Sequence, residues 1–340
     1  MIELDELPVP EGRRVLVLGA GGGADIVAAE VVRRSILRRD PGGRDLGGRD
    51  PGGRDPGGPD LGRTVDIAGL LNPKFEHHYV IAGEILPERA INRAAGVVRF
   101  RRAGLDEPAR SYVERCREGR AKPMPDAGLA AVVAGPVYQL STRFGLDEAS
   151  AFVAGYDVVI ACDAGGDILY GGAADNMART PMMDAFSLAL LRRGHARGGT
   201  GHVLLLGPGS DGELTAERLA AALEALAQRG AILARGRPAA CDLTLAAALL
   251  DQLAAAGGTT LRAMCAVRAA LEAGARLPVI AGRDLEPFRR WADHAYLIDG
   301  AALWSHNPLA AGDSMEEIAT IAASLGWVAP ASTTNPEVRP

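Results

Sequence analysis

Aromatic residues make up only 4% of this 340-residue chain, although 48% of it is hydrophobic. A surface that stacks nucleobases needs Phe, Tyr or Trp at close intervals, so single-stranded nucleic acid is a poor partner. Positive charge is not in excess either. The formal net charge of −5 argues against general attraction to phosphate backbones, and no nucleic acid is expected as a partner. Long apolar runs are missing: nothing approaches the roughly 20 residues that cross a bilayer. The opening MIELDELPVPEGRR has no basic stretch followed by an apolar core. No membrane association is expected, and a cytoplasmic location is. The four cysteines, Cys116, Cys162, Cys241 and Cys265, show no CxxC spacing, which argues against disulfides and structural zinc. The six histidines lack metal-ligand spacing, and neither GxSxG nor a Walker A motif occurs.

What the chain does have is three glycine-bearing turns with acidic residues, each after an apolar run: VLVLGAGGGAD (15–25), VVIACDAGGD (158–167) and VLLLGPGSDGE (203–213). Turns leaving the carboxyl ends of parallel strands open on one edge of a sheet, where ligands collect at the switch point of strand order. Distant segments can therefore build one pocket. Each turn also feeds a plausible helix, whose first N–H groups would face an anion, and glycine lets a ligand come close.

The strand pattern covers Arg14 to Gly19, Thr64 to Leu70, Tyr79 to Ile81, Val97 to Phe100, Leu129 to Val133, Asp157 to Ala161, His202 to Leu206 and Tyr296 to Asp299. Helical spacing covers Asp25 to Arg38, Glu107 to Arg117, Asp147 to Ala154, Asp184 to Arg193, Leu214 to Arg229, Cys241 to Ala275 and Ser314 to Leu325. The last of these has Ser314 as cap, with Glu317 three residues on. Strands alternating with helices predict an α/β fold, a Rossmann-like, doubly wound, mostly parallel sheet with flanking helices and a helix-rich C-terminal part at about 238–330. One domain spanning 1–340 is expected. The five-residue repeat of Arg, Asp, Pro and Gly at 39–63 has no apolar face and reads as a disordered insertion.

Asp163 and Asp167 flank Gly165 and Gly166, and Asp211 and Glu213 follow Gly207 and Gly209. Two carboxylates about 5 Å apart repel by roughly 3 kcal/mol at an effective dielectric of 20, so something must offset them. A hard cation such as Mg²⁺ does so with oxygen ligands; a protonated acid or a cationic substrate is the alternative. Asp163, Asp167 and Asp211 are the expected metal ligands and catalytic acids. Gly21, Gly22, Gly23, Asp25, Gln139, Ser141, Gly165, Gly166, Asn176, Asp184, Gly207, Gly209, Ser210 and Glu213 are the expected substrate-binding residues. Asp184 reads equally as a capping charge on a helix opened by Thr180 and Pro181. Cys162 reads as a small buried hydrophobe rather than a nucleophile. The first turn has a dinucleotide-like pattern, but the acid that would hold a ribose would fall in 39–45, inside the repeat.

These motifs together resemble the family called domain of unknown function 1152. Its glycine-rich first turn ending in Asp matches Gly21, Gly22, Gly23 and Asp25, with Ala24 in place of a glycine. Its Asp-x-Gly-Gly-Asp matches Asp163, Gly165, Gly166 and Asp167, and its Ser-Pro-x-x-Asp-Ala resembles Thr180, Pro181, Asp184 and Ala185. Gly-Pro-Gly-x-Asp-Gly-Glu matches Gly207 through Glu213, and Asp175 is the nearest counterpart of an acid before the Ser-Pro. The repeat and the stretch 66–96 depart from the pattern. The resemblance implies an α/β fold and an acidic, glycine-rich pocket, and no particular reaction. The expected function is an enzyme acting on a small anionic metabolite, phosphorylated or carboxylated, by Mg²⁺-assisted hydrolysis or elimination. A non-catalytic ligand-binding protein and a nucleotide-cofactor oxidoreductase are the alternatives, and a homo-oligomer is open.

Overall fold

A computed structural model describes residues 13–21, 25–39, 63–71, 91–92, 97–100, 129, 133, 137–142, 146–172, 181–210, 212–252, 259–280 and 282–327. The strands run β1 (Arg14–Gly19), β2 (Thr64–Leu71), β3 (Ile91–Asn92), β4 (Val97–Phe100), β5 (Val137–Ser141), β6 (Val158–Ala164), β7 (Thr200–Leu206), β8 (Ile232–Gly236), β9 (Val279–Ile280), β10 (Arg283–Asp284) and β11 (Ala295–Asp299). The helices are α1 (Asp25–Arg39), α2 (Leu146–Val153), α3 (Pro181–Ala196), α4 (Ala216–Gln228), α5 (Ala240–Gln252), α6 (Thr259–Glu272), α7 (Gly300–His306) and α8 (Met315–Ser324).

Nine strands form one sheet in the order β3-β4-β5-β2-β1-β6-β7-β11-β8. The five central strands, β5-β2-β1-β6-β7, are parallel neighbours. Antiparallel pairs flank them: β4 on β5 at one side, β11 on β7 at the other. Parallel strands need crossover helices, so the sheet centre is covered on both faces and its strands must be apolar throughout. β6 is buried over all seven residues, VVIACDA, with Asp163 near its end as the one charged member, and β1 is buried from Val15 onward.

The two faces form two apolar layers. Val15, Val17, Ile160, Cys162 and Leu204 pack with residues of α1, α5 and α6. Leu16, Leu18, Val159, Ala161 and Leu205 pack with α2, α3 and α4 on the other side. Strand order therefore reverses between β1 and β6: the chain leaves β1 for one face through α1 and returns from β6 to the other through α3. A crevice opens at such a point beyond the carboxyl ends of the strands.

Several sequence expectations change here. Leu129 is helical rather than extended, and the Val133 N–H donates to the Leu129 carbonyl at 2.9 Å; the rest of the strand expected at 129–133 lies outside the described residues. The single helical pattern from Cys241 to Ala275 resolves into α5 and α6. β5, β8 and α7 carried no strand or helix prediction of their own. The expected elements at 79–81 and 107–117 lie outside the described residues. So does the repeat at 39–63, apart from Arg39, the last residue of α1, and the buried Arg63 before β2. Among the described residues, no helix is long and apolar enough to cross a membrane.

Candidate functional site

Backbone hydrogen bonds join the three turns at the crevice. The Ala20 N–H donates to the Cys162 carbonyl at 2.8 Å, tying the first turn to β6. The Gly165 N–H donates to the Leu206 carbonyl at 3.0 Å, and Gly209 donates to Gly165 at 2.6 Å, tying the second turn to the third. Gly165 and Gly166 have φ of 132° and 136°, and Gly207 and Gly209 have 55° and 83°, a region that side chains rarely adopt. Here glycine is required by the backbone itself.

Among the described residues, backbone bonds take up most of the N–H groups that the sequence offered to an anion. Gly21 donates to Asp25 Oδ2 at 2.8 Å, and Gly207 donates to the His294 carbonyl at 2.8 Å. Gly165 and Gly209 are spent as above, and Ser210 closes its own turn, Oγ donating to the Gly207 carbonyl at 2.6 Å. Of the five glycines of the second and third turns, Gly212 donates to the Gly209 carbonyl at 3.0 Å, and Gly166 alone keeps its N–H uncommitted among the described residues.

The acids gather where the turns meet. Asp25, Asp163 and Asp184 each place a carboxylate oxygen within 4.8 Å of the other two, and all three are buried. They come from three elements: the first turn of α1, the end of β6, and the first turn of α3 from the opposite face. Asp25 is held through both oxygens, by the Gly21 N–H and by the Ala164 N–H at 3.2 Å. Asp163 accepts a long bond from the Ile168 N–H at 3.4 Å. Asp184 is 0% exposed, and neither of its oxygens has a hydrogen-bond donor among the described residues. A capping carboxylate accepts from its own helix, and Asp184 does not.

Burial raises the Asp184 pKa well above the ordinary carboxylate value, and the negative charges of Asp167, Asp163 and Asp25 raise it further. Asp167, in the short 3₁₀ turn Asp167–Leu169, is a fourth acid close enough for its charge to act on Asp184. The Cys162 thiol is likewise pushed up, by burial first and then by the negative charges of Asp25 and Asp163, which disfavours the thiolate. The charges that raise the Asp184 pKa, those of Asp167, Asp163 and Asp25, are all negative.

The other predicted residues are placed as follows. Gln139 is buried on β5, and Ser141 ends that strand, two strands from β1. Glu213 follows the third turn. Gly22, Gly23, Asn176 and Asp211 lie outside the described residues. Sequence reasoning gave Asp25 and Asp184 to substrate and not to a metal. The missed signal was that the acids opening α1 and α3 approach one crevice from opposite faces, which the two crossover directions imply.

The fold and crevice define a doubly wound α/β protein with an acidic centre at the switch point of its sheet. The chain belongs to the family described as protein of unknown function (DUF1152), whose model matches residues 130–311. No curated protein and no solved structure matches the chain.

Proposed function

We propose that the protein is a cytoplasmic, Mg²⁺-dependent enzyme acting on a small phosphorylated or carboxylated metabolite, by hydrolysis or elimination. The observation that carries this reading is Asp184, a fully buried carboxylate with no donor, facing Asp25 and Asp163. An unsatisfied buried acceptor costs about 1–3 kcal/mol, and a cluster of three asks for a cation. Hard oxygen donors at this spacing suit Mg²⁺, with Asp25, Asp163 and Asp184 holding it. When bound, such an ion supplies Lewis-acid polarisation of a phosphate or carboxylate oxygen and eases deprotonation of water.

The remaining roles fall to the chain's own groups. The crevice repels an anion unless a cation offsets its charge, so binding of metal and of substrate is coupled. Gly21 and Ala164 fix the Asp25 carboxylate in orientation through its two N–H bonds. The Gly166 N–H is the donor left to meet an anionic oxygen. Asp167 stands beside Asp184 and is the carboxyl that directs water or takes a proton.

The test pairs thermal melts with a metabolite screen, each run with Mg²⁺ and with EDTA. Stabilisation by Mg²⁺ together with metal-dependent loss of a phosphorylated or carboxylated metabolite is expected, and Asp163→Asn should abolish both while remaining folded. Ligand stabilisation in EDTA without turnover would instead favour the non-catalytic binding protein.

A further inference from the structure

Away from the acidic crevice, a cleft of about 520 Å³ lies between α4 and the strands β8 and β11. Its walls combine Leu223 of α4 with Trp291, Tyr296, Arg235 and Arg290. Both arginines lie on aromatic faces. The Arg235 guanidinium is 5.4 Å from the Tyr296 ring centroid, and that of Arg290 is 3.9 Å from the Trp291 centroid. Tyr296 sits opposite Arg235 in the β11–β8 register, so the first pair is fixed by the sheet.

Many arginines of the chain face a carboxylate, as Arg237 and Arg268 face Asp293. Arg235 and Arg290 have no such partner among the described residues. Arg235 Nη2 reaches only the Arg290 carbonyl at 3.5 Å and His294 Nε2 at 3.3 Å. Burial raises the Tyr296 pKa and the two guanidiniums pull it down, which places both charges near the phenol. Stacking orients a guanidinium while leaving its N–H fork free, and a planar fork matches carboxylate or phosphate oxygens. The volume is that of a small-molecule site. The one acid on the wall, Glu224, already accepts from Gln228 Nε2 at 3.2 Å, and it turns the anionic end of a ligand away from α4.

We infer that this cleft binds a flat organic anion, an aromatic or conjugated body bearing a carboxylate or phosphate, with Arg235 and Arg290 taking the anionic group and Trp291, Tyr296 and Leu223 the body. This site is separate from the acidic crevice and does not rest on the metal-dependent reading.

Calorimetric titration of the full chain in EDTA tests it, using AMP and indole-3-carboxylate as probes, with adenosine and inorganic phosphate as controls. At least one flat anion should bind with Kd below about 1 mM, more tightly than both controls. Arg235→Ala and Arg290→Ala, both on exposed side chains, should each weaken it at least tenfold. Arg290→Lys should restore only part of the binding, and Asp184→Asn should leave it unchanged. Whether the phosphate or the carboxylate probe binds identifies the anionic group. Failure of both probes, equal binding of adenosine, or indifference to the arginine variants would overturn the inference. So would binding lost in Asp184→Asn and kept in the arginine variants, which would assign the ligand to the crevice instead.

Discussion

Gly21 lies directly against Asp184. A Cβ built on Gly21 would stand 2.9 and 3.0 Å from the two carboxylate oxygens of Asp184, and 2.8 Å from Asp25 Oδ2. A glycine in the first turn is thus what lets acids from opposite faces of the sheet approach each other. Gly21→Ala should push these carboxylates apart, weakening Mg²⁺ binding tenfold or more, with a stability loss of about 1–3 kcal/mol from overpacking. Metal titration beside a denaturant melt measures both. An unchanged metal affinity would show that the contact has no bearing on the cluster.

Asp184→Asn should stabilise the metal-free protein by about 1–3 kcal/mol, because it replaces a buried carboxyl lacking a donor with a neutral amide, whose N–H groups can donate to the neighbouring acids, and removes the repulsions. The pH dependence has a definite sign. A carboxyl whose folded pKa is raised contributes stability that is fully present below its unfolded value, near 4, and lost as pH rises through the folded value. The metal-free wild type should therefore lose stability with rising pH above about 4, while the variant's profile is flatter there. Melts in EDTA from acid to neutral pH give the comparison, and parallel profiles would count against it.

Asp293 has the opposite sign. It is buried, which alone would raise its pKa, but His294, Arg237 and Arg268 hold it below the ordinary carboxylate value. Its contribution is present above the unfolded pKa and disappears as pH falls through the folded one. Asp293→Ala should destabilise by about 3 kcal/mol, the lower end for a broken buried pair, since Arg237 is 40% exposed and water replaces part of its partner. Urea denaturation provides the number, and a loss under about 1 kcal/mol would deny Asp293 this anchoring role.

Gly209 and Gly230 both have positive φ, 83° and 66°, but differ in space. A Cβ on Gly209 would run into the Phe288 ring, whereas one on Gly230 meets nothing within 4 Å. Gly230→Ala should cost only the backbone penalty, about 1–2 kcal/mol. Gly209→Ala adds overpacking of a further 1–3 kcal/mol or so. Equal losses in the two variants would mean that the third turn yields to the ring without strain.

Cys162 should resist alkylation in the native protein at neutral pH, while the exposed Cys241 reacts. Mass spectrometry after brief iodoacetamide treatment, with and without denaturant, distinguishes the two thiols. Native labelling of Cys162 at the rate of Cys241 would mean that its burial is transient.

The strands that were legible are those buried on both faces. VLVLG, VVIAC and VLLL have one structural use, and Ser314 capping Glu317 N at 3.1 Å is as the spacing implied. β5 was read only for its polar residues, Gln139 and Ser141, because alternation in a short segment resembles a ligand-bearing loop. β8 alternates exposed and half-buried residues at the sheet margin, where little apolar patterning is imposed. A short apolar run such as 129–133 fits a strand or a helical turn equally by period, and Leu129 is helical. At the site, the meeting of the turns followed from strand logic. Which acids share the centre did not, because that depends on how deeply α1 and α3 bury their first turns.

The family match begins at residue 130, whereas β1, the strand between β2 and β6, lies before it. A shortened chain keeping only 130–311 would leave one side of β6 with a bare ladder of amides and carbonyls and nothing on which to zip. Such a truncate would self-associate rather than stand alone, and it would lack Asp25 as well. A paired β6 edge and the third acid thus share a single N-terminal origin.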